Sequence, residues 1–350
     1  MRGLVLEGGG IKGSYQIGSY YAFLKCHKKI DGFVGASIGA FNAAMLASGK
    51  HRELLEIWYK DNPSYLLGID EKFIAGFNGF ERNLEWYIDS FKEINSIIRN
   101  LGVNNDRLIN KANELLDYEQ LKKSNKDFGL ITVKVTRKGF QPVYKYIEDI
   151  NSQEELVEYI IASSYFPIFR ERKLIDNHYY IDGGFYDNSP VRMLLKKHYD
   201  EIYIINVKGV GHYHKIRKTD AKIINIKASR DTGGLFELNH SVIKDNIMMG
   251  YYDTLRVLKN LDGYKYCFKR RSEKYYKLLC RNVDRRLLRR VSHFFDVYSY
   301  KDIILKALEY VMEKEHYDYY DVYNLYGVIK KIPKDKQFAY RFINSLKLFF

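Results

Sequence analysis

The first fifty residues contain the same arrangement twice: a short apolar run, a glycine-rich turn and a segment typical of a helix. Gly3–Leu6 leads into three glycines and the helix-like residues 14–26, and residues 32–37 lead into the alanine-rich residues 38–49. Short buried runs that alternate with helices indicate parallel strands joined by helical crossovers. The pattern therefore predicts an α/β fold with a mainly parallel central sheet.

The rest of the chain continues this alternation and then changes character. Further strands are predicted at residues 128–136, 143–147, 201–209 and 221–229. Helices are predicted at residues 152–164 and 235–260, and a hairpin that turns at Asp176–Asn177 is predicted over residues 172–184. We expect one domain over residues 1–260, followed by a basic helical region over residues 261–350.

Composition limits the kinds of protein this chain can be. Its 57 Lys and Arg against 43 Asp and Glu give a net charge of +14, which attracts anionic membranes and nucleic acids alike. Cys26, Cys267 and Cys280 cannot all pair and match no metal-site spacing, so we expect reduced thiols, no metal and a cytoplasmic protein. No secretory signal and no run of about 18 apolar residues is visible, so we expect any membrane contact to be peripheral.

The first glycine-rich turn is compatible with three different ligands. Gly8-x-Gly10-x-x-Gly13 has the dinucleotide-binding spacing, and Asp31 lies near the expected acidic position. A nucleotide P-loop needs Gly-Lys-Ser/Thr, whereas Lys12 here precedes the last glycine. Consecutive glycines can also turn their amides toward the oxygen of a reacting ester and form an oxyanion hole.

The second glycine-rich turn, Gly35-Ala36-Ser37-Ile38-Gly39, is a G-x-S-x-G sequence between a predicted strand and a predicted helix. This is the context of a nucleophile elbow, a tight turn that presents a serine at a helix N-terminus. Gly35 and Gly39 leave room for the turn, and the amide of Ile38 is a candidate oxyanion donor. The alternative is a serine that only caps a helix. Because both glycine motifs follow adjacent predicted strands, we favour Ser37 as a nucleophile.

An aspartate is the best candidate for the base that would activate this serine. None of the nine histidines stands out, and His212 and His214 lie in a predicted loop. Asp182 ends a strand-like run and is followed by Gly183 and Gly184. An aspartate can accept a serine proton directly if the site excludes water and raises its pKa. The alternative is an ordinary turn aspartate.

Four motifs occur in order within residues 1–210: Gly8-Gly9-Gly10-Ile11-Lys12-Gly13, Gly35-Ala36-Ser37-Ile38-Gly39, Ala162-Ser163-Ser164-Tyr165-Phe166-Pro167 and Asp182-Gly183-Gly184. Together they resemble the motifs of the patatin-like phospholipase family. The resemblance implies a three-layer α/β/α core that hydrolyses acyl esters of phospholipids or related lipids without a metal or cofactor. It also implies a catalytic dyad of Ser37 and Asp182 and an oxyanion hole formed by Gly8, Gly9 and Gly10. The other motif residues, Lys12, Gly13, Gly35, Gly39, Gly183 and Gly184, would support this site.

Two further segments bear on how a lipid would approach. Residues 65–91 carry seven aromatic side chains, which form either a lid or part of the core. Residues 265–290 hold eleven Lys and Arg against only two acids. We expect this segment to contact an anionic membrane, with nucleic-acid binding and a merely solvated helix face as the alternatives.

These observations lead to one favoured hypothesis and one alternative. The favoured hypothesis is a serine acyl hydrolase of the phospholipase A or lysophospholipase type. It would be cytoplasmic and peripheral on the inner face of the membrane, with no nucleic-acid partner. The alternative is a nucleotide- or nucleic-acid-binding α/β protein without hydrolase activity.

Overall fold

The chain divides into two compact units, Met1–Tyr251 and Tyr252–Phe350. A computed structural model describes residues 1–60, 106–165, 173–235 and 239–346. The aromatic segment 65–91 and the last two residues of the third motif, Phe166 and Pro167, lie outside these residues. The expected domains over residues 1–260 and 261–350 stay a prediction.

The first unit is built around a central sheet. Its strands are β1 Arg2–Leu6, β2 Gly32–Ala36, β3 Asp127–Thr136, β4 Gly139–Tyr146, β5 Tyr180–Asp182, β6 Glu201–Asn206 and β7 Lys222–Lys227. Their spatial order is β4-β3-β2-β1-β6-β7, and β5 also pairs with β3. β4 and β5 run antiparallel to β3, and the other pairings are parallel. The predicted mixed α/β fold with a mainly parallel sheet is confirmed.

Helices connect these strands. They are α1 Ser14–Lys25, α2 Ile38–Ala47, α3 His51–Lys60, α4 Asp106–Leu115, α5 Tyr118–Lys123, α6 Gln153–Ser163, α7 Gly184–Asp187 and α8 Val191–Lys196. A further helix, α9 His240–Leu258, follows β7, and the division between the two units falls within it. Gly49, with a left-handed φ of 81°, follows the end of α2, where a glycine stop was predicted. The Ser152 side chain caps α6 by accepting a hydrogen bond from the Glu155 amide. Local sequence therefore accounts for the end of α2 and the start of α6.

Successive residues of a strand point to opposite faces of the sheet. Both faces carry apolar side chains, and helices cover both. On one face, Val5 and Val34 form a buried cluster with Leu194 of α8. On the other face, Phe23 of α1 packs edge-on against Tyr203 of β6, with ring centroids 4.8 Å apart. The helices therefore enclose the sheet in three layers.

The hairpin predicted over residues 172–184 is wrong in its pairing. Leu174 and His178 form only one isolated bridge, around a 3-10 turn at Ile175–Asn177. The strand after it, β5, pairs with β3 instead. β2 covers β3 only as far as Ile131, so the rest of that β3 edge is open to a new partner. This pairing brings Asp182 to the end of β2.

The second unit is mainly helical and has its own apolar core. Its helices are α10 Glu273–Leu279, α11 Arg285–Phe295, α12 Tyr300–Lys314, α13 Leu325–Lys331 and α14 Phe338–Ser345. Fully buried side chains such as Phe268, Leu308 and Phe342 form the core. A parallel pair of short strands, β8 Cys267–Phe268 and β9 Val322–Tyr323, also lies in this unit and was not predicted. Two residues per strand are too few to show an alternating pattern in the sequence.

Among the residues that the structure describes, no helix is long and apolar enough to cross a bilayer.

Candidate active site

Ser37 lies in the turn between β2 and α2 with a strained backbone. Its φ of 54° is in the left-handed region, which costs a non-glycine residue about 1–3 kcal/mol and persists only where the surroundings impose it. The Ser37 amide donates a 2.9 Å hydrogen bond to Oγ of Ser163. That hydroxyl in turn donates a 2.7 Å bond to the Ile131 carbonyl of β3. Ser163, a residue of the third motif, therefore holds the elbow in place.

Glycine is required at the two predicted positions around Ser37. A Cβ on Gly35 would lie 2.3 Å from the carbonyl of Gly39. A Cβ on Gly39 would lie 2.1 Å from the carbonyl oxygen of Leu6. Both distances are too short for any side chain, so the elbow can close only with glycine at each position. The spacing of the G-x-S-x-G motif thus has a direct steric cause.

The sheet register places Asp182 beside Ser37. Ala36, the last residue of β2, pairs with Ile131 of β3. Asp182 of β5 pairs with the next β3 residue, Thr132. The serine that follows β2 and the aspartate that ends β5 therefore meet, and the Ser37 side chain lies close enough to Asp182 to lower the pKa of its carboxyl. The two residues are brought together from positions far apart in the sequence.

Asp182 is a buried carboxyl with an unusual proton affinity. Only 5% of its surface is exposed, and its Oδ1 accepts a 2.7 Å hydrogen bond from the Gly184 amide. Burial raises the pKa of Asp182 to about 7, although the hydrogen bonds from Ser37 and Gly184 act in the opposite direction. A carboxylate with a pKa near neutral is a much better proton acceptor than an exposed aspartate.

The glycine loop after β1 lies against the elbow, but the amide of its first residue, Gly8, already donates a hydrogen bond within the protein. The Gly8 amide donates a 3.0 Å hydrogen bond to Oδ1 of Asn188, and Nδ2 of Asn188 donates a 3.2 Å bond to the Gly8 carbonyl. The prediction of Gly8 as an oxyanion donor is therefore corrected, since this amide is not available. Within the described part of the chain, the amides of Gly9, Gly10 and Ile38 donate no hydrogen bond.

Asn188 is a functional candidate that sequence analysis missed. It is completely buried, and its Nδ2 also donates a 2.8 Å bond to the hydroxyl of Tyr213. The Tyr213 hydroxyl donates to the carbonyl of Gly209, at 2.8 Å. The only sequence signal was an asparagine shortly after Asp182, which by itself is typical of a turn.

The loop is also fixed from its other side. Gly10 has a left-handed φ of 56°, and a Cβ there would lie 2.2 Å from the carbonyl oxygen of Leu235. The same oxygen accepts a 3.1 Å hydrogen bond from the Ile11 amide. Gly13 lies against the Ile38 side chain, where a Cβ would be 2.9 Å from Cγ1. Glycine at these positions therefore allows close packing around the loop.

Several other predicted residues are placed as follows. Lys12 is half-buried, and it forms no ion pair with the described residues. A Cβ on Gly183 would lie 2.1 Å from the Ile131 carbonyl, so Asp-Gly-Gly also has a steric cause. His212 is exposed and His214 is half-buried. The described residues contain no group of three or more His, Cys, Asp or Glu placed to hold a metal ion.

The dinucleotide interpretation of the glycine loop does not fit the structure. A dinucleotide site would require Asp31 to lie at the C-terminal end of β2, which is the end beside the glycine loop. Asp31 instead precedes β2 and accepts a 2.9 Å hydrogen bond from the Arg2 amide, at the start of β1. Because β1 and β2 are parallel, Asp31 and the glycine loop lie at opposite edges of the sheet.

Comparison with known proteins identifies the family. The family described as patatin-like phospholipase matches residues 4–195, more than half of the chain. The chain therefore belongs to the patatin-like phospholipase family.

Two individual proteins are similar to this chain. A protein named "Probable lipid hydrolase 463L", from Invertebrate iridescent virus 6, is 25% identical over 198 residues, which are 56% of this chain and 63% of that protein. The chain thus spans less than two thirds of this relative's length. The crystal structure of VipD from Legionella pneumophila superposes with a TM-score of 0.42 at 16% identity, covering 99% of this chain and 84% of that one.

Proposed function

We propose that this protein is a serine hydrolase that cleaves fatty-acyl esters of phospholipids or related lipids, of the phospholipase A or lysophospholipase type. The observation that carries the proposal is the buried Asp182 carboxyl facing the hydroxyl of Ser37, which a strained elbow presents beside a glycine loop. Membership of the patatin-like phospholipase family supports a lipid ester as the substrate. The name of the viral relative, a probable lipid hydrolase, supports the same class.

In the first half of the proposed reaction, Oγ of Ser37 attacks the ester carbonyl while Asp182 accepts the hydroxyl proton. The carbonyl oxygen becomes an oxyanion and is stabilised by the amides of Gly9, Gly10 and Ile38. The positive end of the α2 dipole adds to this stabilisation, because Ser37 lies at the helix N-terminus. Asp182 then returns its proton to the leaving alcohol, and the acyl group stays on Ser37.

In the second half, water releases the fatty acid. Asp182 takes a proton from the attacking water, and the same amides stabilise the second oxyanion. Ser37 recovers its proton as the acyl bond breaks. A carboxylate can perform both steps without a histidine because burial moves its pKa to about 7, close to neutral pH.

We propose that this reaction takes place in the cytoplasm, at the inner face of the membrane. All three cysteines are free thiols, as a reducing compartment allows. Burial raises the pKa of Cys267 to about 11 and that of Cys280 to about 12, which makes both thiols unreactive at neutral pH. These thiols support the location but have no part in the chemistry.

The test is fatty-acid release from phosphatidylcholine and lysophosphatidylcholine in mixed micelles. Wild type and Ser48→Ala should release fatty acid, since the Ser48 hydroxyl only bonds the Ala44 carbonyl within its own helix turn. Ser37→Ala and Asp182→Asn should lose the activity. Full activity of folded Ser37→Ala would refute the proposed nucleophile. Wild-type hydrolysis of a soluble short-chain ester, without release from either lipid, would retain the hydrolase and refute the lipid substrate.

A further inference from the structure

The outer face of α11, in the second unit, is strongly basic. The inner face of this helix packs on the apolar core through Leu287, Leu288, Val291 and Phe295. Four arginines lie on the opposite side of the helix and are all exposed: Arg285, Arg286, Arg289 and Arg290. We call these four residues the arginine face.

The arginine face has no ion-pair partner in the described part of the chain. None of the four guanidinium groups forms an ion pair with a described carboxylate. The neighbouring acid, Asp284, is used to cap the helix, where it accepts a 2.8 Å hydrogen bond from the Leu287 amide. Arg290 lies over the ring of Phe338, 5.2 Å from its centroid. Four positive charges therefore face solvent together.

This arrangement opposes the local rules of helix stability. Arg285 and Arg286 occupy the first turn of α11, where the helix dipole repels positive charge. Arg285 and Arg289, like Arg286 and Arg290, are four residues apart, a spacing at which like charges repel.

The helices on either side of α11 in the sequence follow these rules. α10 has Glu273 in its first turn, and α12 has Asp302 in its first turn and Lys314 in its last. α11 has no acid in its first turn. The acidic N-cap Asp284 offsets part of this repulsion, but no described carboxylate pairs with the four arginines. A local violation of this kind points to a function rather than to folding. A bound polyanion would neutralise both kinds of repulsion.

We propose that the arginine face docks on the anionic phospholipid surface of a membrane. Charge complementarity argues for an anionic partner, and the choice of a lipid surface over nucleic acid rests on the proposed function. Two large aromatic side chains just beyond the arginines, Phe294 and Tyr298, are 57% and 75% exposed. Exposed aromatic rings beside cations suit the headgroup region of a bilayer. Because the apolar face of α11 is already buried in the protein, the contact is mainly electrostatic and weakens as salt rises.

The experiment measures co-sedimentation with vesicles of equal parts phosphatidylcholine and phosphatidylglycerol, and with phosphatidylcholine alone. All variants carry Ser37→Ala, so that the vesicles are not consumed. The first variant replaces all four arginines of the arginine face by glutamine. The matched control replaces four exposed lysines of the same unit, Lys330, Lys331, Lys334 and Lys336, by glutamine, which gives the same change in net charge.

The proposal predicts binding to the anionic vesicles only. Each arginine at the surface contributes roughly 5-fold in affinity, so the arginine variant should lose at least about 100-fold. The lysine control should retain most of the binding. The thermal midpoint of the arginine variant should be equal to or above that of the parent protein, because its repulsions are removed; this excludes misfolding as the cause.

Three outcomes would overturn the proposal. Equal losses in the arginine variant and the lysine control would mean that net charge alone drives binding. Equal binding to neutral and anionic vesicles would exclude electrostatic docking. Binding of a DNA duplex with no binding to either vesicle would assign the face to nucleic acid. Because every variant carries Ser37→Ala, fatty-acid release does not enter this assay, and its result stands apart from the test of hydrolysis.

Discussion

Replacing Asp182 with asparagine should abolish activity and, at neutral to alkaline pH, stabilise the first unit. Asparagine has the size of aspartate, and its side-chain oxygen can still accept the hydrogen bond that the Gly184 amide donates to Oδ1. It carries no charge at any pH. The variant therefore removes the buried charge while it keeps the local shape.

The size of this stabilisation follows from the raised pKa of Asp182. Below the ordinary value of 3.8, Asp182 is protonated in both the folded and unfolded states. Between that value and about 7, the unfolded carboxyl ionises while the folded one holds its proton, so wild-type stability falls as pH rises. At about 1.4 kcal/mol per pH unit, the full loss is about 4 kcal/mol, of which about 3 kcal/mol lies between about pH 5 and about pH 8.

The assay is urea unfolding followed by tryptophan fluorescence at these two pH values. Both tryptophans of the chain, Trp58 and Trp86, lie within residues 1–251, so the signal reports the unit that contains Asp182. Between about pH 5 and about pH 8, the free energy of unfolding of Asp182→Asn should rise by about 3 kcal/mol relative to that of wild type. Asp220→Asn, at an exposed aspartate, is the control and should show no such gain. An equal stability difference for Asp182→Asn at both pH values would refute a strained, buried charge at this position.

Three further predictions concern the site. The rate of fluorophosphonate labelling should rise with pH and level off above about 7, because the base must be ionised and burial raises the pKa of Asp182 to that value. Ser163→Ala removes the acceptor for the Ser37 amide, so labelling should slow roughly 10- to 100-fold through misplacement of the nucleophile. Asn188→Ala leaves the buried amide and carbonyl of Gly8 unpaired, at about 1–3 kcal/mol each, so urea unfolding should show a less stable first unit. In the same variant kcat for a soluble ester should fall while KM is unchanged, since the glycine loop contacts the transition state.

Each of these predictions has an outcome that would count against it. A labelling rate that is flat from about pH 5 to about pH 8 would remove Asp182 as the base. Wild-type labelling in Ser163→Ala would show that the elbow does not depend on this hydroxyl; Ser48→Ala serves as its control. An Asn188→Ala protein with raised KM and normal kcat would place Asn188 in substrate binding rather than in support of the oxyanion loop.

The parts of the site that depend on local sequence were predictable. Gly35 and Gly39 are required by contacts within the elbow and with the neighbouring β1, and the apolar run before them predicted the strand. The left-handed Ser37 follows from the same short motif. The helices after both glycine turns begin and end close to their predicted bounds, since caps and glycine stops act over a few residues.

The parts that depend on long-range pairing were not predictable in detail. The D-G-G motif nominated Asp182, but its position beside Ser37 depends on β5 pairing with the open edge of β3, whereas the sequence favoured a local hairpin. Asn188 is hydrogen-bonded to Gly8, which lies 180 residues away in the sequence, and no pattern in either segment predicts that hydrogen bond. The loss of Gly8 as an oxyanion donor follows from the same contact. Side-chain bonds to distant backbone groups leave almost no trace in a single sequence.

The most direct test of the central claim is to map the fluorophosphonate adduct by peptide mass spectrometry after labelling the wild-type protein. We expect one adduct, on Ser37, that is absent from Ser37→Ala and greatly reduced in Asp182→Asn at neutral pH. An adduct on another serine, or no adduct on folded wild-type protein in the presence of anionic vesicles, would contradict the assignment of Ser37 as an activated nucleophile.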